Sequence, residues 1–232
     1  MCEVQKHGKI WELDMLRNVY GITDEELKEL RYTDKMDLPG KFNHLDPGVN
    51  MSIKTTGKEN MVCMGDCLRV YDAVKSGEPF HMVVLVYTQN DDTKTKKVKT
   101  ITEIDLTNAV TPLFGDITRA QVEQLDKAVK AVPQKRKPTT GEHDHMYTIR
   151  NDLQPSSVAI HFDIKCNSTQ SRLQCSLNRF QDFLNNNKDR IVAKRDTNTG
   201  LFRGKKIIGE IASSRRVFTK NNPALEQGSR PH

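Results

Sequence analysis

The chain contains no apolar run near the roughly 20 residues that would span a bilayer, and Met1 to Lys9 lacks the apolar stretch of a secretory signal. These two absences point to an intracellular, cytoplasmic protein without a membrane partner. No Gly-x-Ser-x-Gly elbow and no glycine-rich phosphate loop occurs, which disfavours serine hydrolases and nucleotide kinases. No CxxC pair is present among the five cysteines, Cys2, Cys63, Cys67, Cys166 and Cys175. A zinc site built from the last four therefore ranks well below free, buried thiols in a reducing compartment. Aromatic residues are scarce at 6%, so recognition of single strands by base stacking, as in many RNA-processing proteins, is disfavoured. There is no internal repeat.

What is present is one core's worth of chain with a basic balance. At 232 residues the sequence can bury a single substantial core. The expected organisation is one domain over residues 1–220, helical at its N-terminal part, with a flexible tail at 221–232. The net charge is +6. Basic residues cluster at 94–99, 135–137, 203–206 and 215–216, a distribution compatible with phosphate contact.

Thr23 followed by Asp24, Glu25 and Glu26 has the chemistry of a helix start. A loop is expected over 37–50 and a short strand over 49–56. Gly65-Asp66 opens a helix that ends at Ser76-Gly77, with Pro79 beyond. Phe80 to Tyr87 reads as a strand buried on both faces, and Val98 to Leu106 as its hairpin partner across a long polar connection. Further helices are expected at 118–132 and 142–153, and a strand at 158–164. Leu173, Leu177, Phe180 and Leu184 then have helical spacing, so residues 172–184 read as a helix. This order gives an α/β or α+β fold with a mixed β-sheet core flanked by helices.

Residues 163–176 run from an apolar strand into amides, hydroxyls and cations, poor material for a core. Asn167, Ser168, Gln170 and Gln174 have the chemistry of adenine edges and phosphate oxygens, and Arg172 that of guanine or phosphate. The linker residues Lys135 and Arg136 are candidates for the phosphate backbone.

Hydrolysis of a phosphodiester with a divalent cation needs carboxylates to hold the ion. It also needs a lysine, or an amide in its place, to orient water or support developing charge. Three constellations offer these groups. Asp66 with Gln89 and Lys54 is the first choice, and a helix N-cap is the simpler reading of Asp66. Asp152 with Asp163-Ile164-Lys165 is the second. Glu103 and Asp105, on one strand face, could complete a metal site begun by Asp66. His143 and His145 are too divergent on a helix to make a compact site.

Several fragments together resemble type II restriction endonucleases of the PD-(D/E)xK kind. They are Ser52-Ile53-Lys54-Thr55-Thr56-Gly57, Gly65-Asp66, Tyr87-Thr88-Gln89, Leu113-Phe114-Gly115 and the run from Lys165 to Ser176, in order over about residues 50–180. The resemblance implies a restriction-endonuclease-like fold, a double-stranded DNA substrate with a short specific site, Mg²⁺ as cofactor and action as a homodimer. Tyr87-Thr88-Gln89 departs from the family's acid-x-lysine triplet. Either Gln89 replaces the lysine, or the site lies at Asp163-Ile164-Lys165, or the chain is a sequence-specific DNA-binding protein without catalysis.

Overall fold

A computed structural model describes residues 3–30, 36–153, 158–167 and 169–213, with side chains from residue 8 onward. Ser168, the basic pair at 215–216 and the expected tail at 221–232 lie outside the described residues. The fold is a mixed α/β arrangement built on two sheets. Helix α1 (Glu3–Asp14) runs into a π-helical turn at Met15–Val19, and α2 (Asp24–Glu29) follows. Thr23 caps α2 through a full capping box with Glu26, as its sequence dictates.

Strands β1 (Asn50–Thr56), β3 (Phe80–Asn90), β4 (Thr95–Asp105) and β7 (Ile191–Lys194) lie side by side in that order, and β8 (Glu210–Ala212) also pairs with β4. Only β1 and β3 are parallel. The second sheet is antiparallel in the order β2 (Met61–Asp66), β6 (Gln170–Asn178), β5 (Ile160–Asn167). Between these strands come α3 (Cys67–Lys75), α4 (Val110–Phe114), α5 (Arg119–Lys130) and α6 (Thr140–Leu153), and α7 (Phe180–Asn186) follows β6.

The alternation of β3 explains the layering. Met82, Val84 and Val86 pack with α3, α5, α6 and the second sheet. Val83 and Leu85 face the other way, onto Trp11, Met15, Leu16 and the C-terminal Phe202, Ile207 and Ile211. The strand is thus buried on both faces, as its continuous apolar run requires. Its connection to β4 is a tight turn at 91–94, because both strands run on through polar residues.

One expected element is wrong. Residues 170–178 are strand β6 and only 180–186 are helical. Leu173, Cys175 and Leu177 alternate into the core against Ile164, Phe162 and Ile160 of β5. The period-2 burial of this hairpin overrides the helical spacing of the same leucines.

Among the described residues no helix is long and apolar enough to cross a membrane.

Candidate active site at the edge of the first sheet

Asp37 meets Lys54 of β1 in an ion pair of 3.1 Å that solvent still reaches. Leu38 and Met51 exchange two backbone hydrogen bonds, at 3.1 and 2.8 Å, in an antiparallel bridge. Both side chains are fully buried, so apolar burial fixes this register. The loop that follows closes on itself at Gly40, where an added Cβ would lie 2.5 Å from the carbonyl of Gly48. Only a glycine fits that approach. The bridge sets Asp37 beside Ser52 and Lys54, two residues that share one face of β1.

Asp37 Oδ2 accepts from Ser52 Oγ at 3.0 Å, from the Ile53 N–H at 2.7 Å and from Lys54 Nζ at 3.1 Å. All three bonds fall on one oxygen, so Oδ1 is open among the described residues. The Asp37 and Lys54 side chains keep 29% and 24% of their exposure, so the pair is held rigidly and still reached by solvent.

A second carboxylate arrives from α1. Trp11 anchors that helix, fully buried and donating from Nε1 to the Ile208 carbonyl at 2.9 Å. Its neighbour Glu12 pairs with Lys9 at 2.7 Å. Burial holds Glu12 above the ordinary carboxylate range. The Lys9 hydrogen bond opposes that shift, the negative charge of Asp37 adds to it, and Lys54 opposes it weakly. The sequence expectation included Lys54 but missed Asp37 and Glu12. The available signal was an acid four residues before the Lys41 turn, in a segment read only as loop.

The other expected constellations are not assembled. Asp66 is the N-cap of α3, its carboxylate accepting from the Arg69 N–H at 3.0 Å, on the second sheet rather than beside Lys54. Gln89 bonds Asp91 at the far end of β3, whereas Lys54 pairs in register with Val84. Five residues of strand, about 16 Å, separate those rows.

Glu103 is fully buried on the opposite face of the first sheet. His81 Nδ1 lies 2.9 Å from it, Tyr20 Oη 3.4 Å and Arg203 Nε 3.1 Å. The Arg203 contact is an ion pair by distance, off the hydrogen-bonding direction. Burial, with Glu103 next, pushes the Tyr20 hydroxyl far up. Asp105 accepts from the Thr107 N–H at 2.7 Å. Glu103 and Asp105 therefore serve the core and a turn, and they do not join Asp66. Asp163 is bonded by Ser176 Oγ, Asp152 is exposed at the end of α6, and Lys165 lies farther along β5.

The polar run is carried on a hairpin. Asn167 Oδ1 accepts from Thr169 N, Thr169 Oγ1 and Gln170 N at 2.9, 2.8 and 3.2 Å, so this amide shapes the turn. Gln170, Arg172 and Gln174 alternate on the outer face. Arg136 is locked in a two-pronged pair with Glu142 at 2.7 and 2.6 Å, and is not a free phosphate ligand. Lys135 is exposed with φ of 81°.

Cys67 and Cys175 are buried and interact, Cys166 is half-buried and Cys63 exposed. No group of three or more His, Cys, Asp or Glu among the described residues is placed to hold a metal, His143 and His145 included. Comparison with protein families, with curated proteins and with solved structures finds no match.

Proposed function

We propose that this protein is a Mg²⁺-dependent endonuclease of double-stranded DNA, of the type II restriction kind, with its active site at Glu12, Asp37 and Lys54. The observation that carries the reading is the Asp37–Lys54 contact, 3.1 Å long and open to solvent.

The residues fit a hard divalent cation. Mg²⁺ keeps several waters and is commonly held by one or two carboxylates together with substrate phosphate. Asp37 offers Oδ1, and Glu12 offers a carboxylate whose ionisation burial and Asp37 both resist, a resistance that a cation relieves. When bound, the ion supplies Lewis-acid neutralisation of the phosphoryl charge.

The chain's own groups do the rest. Ser52 and the Ile53 N–H fix the Asp37 carboxylate in one orientation. Lys54 holds its ammonium beside that carboxylate, where it can orient a water and balance charge that develops on the phosphate. Gln89 has no role in this scheme. The described residues hold one such centre, and a cut through both strands calls for two copies, which is the basis for proposing a homodimer.

The test is a plasmid digest with Mg²⁺ and again with EDTA. Discrete, metal-dependent fragments are expected. A shifted but intact plasmid in both conditions would sink the reading in favour of sequence-specific DNA binding without catalysis.

A further inference from the structure

The outer face of the β5–β6 hairpin has an arrangement that the catalytic scheme does not use. Register pairs Lys165 directly with Arg172. Both are exposed, and neither has a carboxylate partner among the described residues. Like charges directly opposite one another on a sheet are destabilising, and an anion from outside would relieve this pair. The two acids of the same face both stand in register with Gln174, the next row of that face toward the base of the sheet. Asp66 is engaged in capping α3, and Asp163 is bonded by Ser176.

The shape matches the charge. Strand β2 ends at Asp66, opposite Gln174. Beyond that row only β5 and β6 continue, through Lys165–Arg172 to Asn167–Gln170, so the tip is a two-stranded ribbon. Its inner face is braced where Ser171 Oγ donates to the Val132 carbonyl at 2.7 Å, at the end of α5. The major groove admits such a ribbon. Gln170, Arg172 and Gln174 occupy alternate positions on the outer face, about 6.8 Å apart, close to two base-pair steps of about 3.4 Å.

We propose that this ribbon reads duplex DNA in the major groove, with Gln170, Arg172 and Gln174 toward base edges and Lys165 on a flanking phosphate. The inference rests on the endonuclease reading for its substrate class, and it assigns the sequence selectivity to a surface separate from the Asp37 cleft.

The experiment is selection from a pool of randomised DNA duplexes, bound in EDTA so that no cutting occurs, followed by sequencing of the bound fraction. The wild-type chain is expected to enrich a short sequence. Arg172→Lys keeps the charge and loses the planar fork. It should retain most of the affinity and lose on the order of 10- to 100-fold in preference at one position. Gln174→Ala should relax a different position, about two base pairs away. Lys165→Ala should weaken all sequences alike and lower the salt slope by about 1.

The same sequence enriched by the wild type and by all three variants would overturn the inference. So would no enrichment by the wild type, or better competition by RNA than by duplex DNA. Sequence selection without any cleavage would instead defeat the nuclease reading and leave the ribbon standing.

Discussion

Lys54 Nζ lies 3.1 Å from Asp37 Oδ2, and a single backbone bridge between Leu38 and Met51 holds the two residues in place. Ser52 and the Ile53 N–H bind the same oxygen, so the carboxylate cannot turn without losing three bonds. Such rigidity is what positioning of a reacting phosphate needs.

Asp37→Asn keeps the shape and removes the charge. Cleavage of duplex DNA in Mg²⁺ should fall by at least about 100-fold, with binding in EDTA unchanged. Lys54→Ala should do the same. Single-turnover digestion and a gel shift measure the two quantities, and full cleavage by Asp37→Asn would remove this site from the chemistry.

Asp66 gives the contrasting case. It caps a nine-residue helix through the Arg69 N–H, and loss of such a cap costs about 1 kcal/mol. Asp66→Ala should therefore lower the melting temperature by a few degrees, about 2–4 °C, and leave the cleavage rate of the folded protein intact. Asp66→Asn should be close to neutral in stability. A large loss of cleavage in Asp66→Asn would restore Asp66 as a metal ligand.

Much of the architecture was legible because local signals and tertiary packing agree. Thr23 and Thr118 both cap the expected helices, and the apolar run from Phe80 became the doubly buried central strand. The hairpin at 160–178 misled because Leu173 and Leu177 satisfy a helical period, while pairing with β5 selects the two-residue one. Asp37 was invisible for a different reason. Its position depends on one bridge between residues thirteen apart and on a helix, α1, whose buried Trp11 gives no sequence sign of where the adjacent Glu12 will be carried. Gly-Asp at 65–66 fits both a metal ligand and a helix N-cap, and the fold places Asp66 at the cap of α3.

Glu103 is held in the core by three side chains. It is fully buried with His81, Tyr20 and Arg203 around it, and Arg203 is further paired with Asp46. Removing one partner of a buried ion pair costs about 3–5 kcal/mol. Glu103→Ala should lose stability on that scale in urea unfolding. A metal ligand would behave otherwise, with little change in stability without Mg²⁺.

The Arg136–Glu142 pair predicts an acid-labile helix start. Arg136 first, and then the Thr139 N–H, hold the Glu142 carboxyl down to about 2. A depressed carboxylate stabilises the folded state above its ordinary value of 4.5, and that contribution is lost as pH falls from there toward 2. Glu142 is surface-exposed, so the effect is confined to the first turn of α6. Amide exchange at 140–144 should accelerate below about pH 4, and Arg136→Ala should shift that onset upward. Exchange indifferent to both acid and Arg136 would show that the pair contributes nothing.

Glu12 has the opposite sign, and its two consequences separate stability from activity. Burial raises its folded-state value above 4.5. As pH rises from 4.5 the unfolded chain releases the proton first, so folding loses stability until the folded carboxyl also ionises. Glu12→Gln should therefore melt higher than the wild type at pH 7 and alike at pH 4. In the proposed scheme cleavage requires the ionised form to hold the cation, so the wild-type rate should climb with pH through a midpoint above 4.5. More Mg²⁺ should move that midpoint down, since proton and ion compete for one carboxylate. The Gln variant should lose both the activity and the Mg²⁺-dependent shift. A midpoint that stays fixed over a hundredfold range of Mg²⁺ would exclude Glu12 from the metal site.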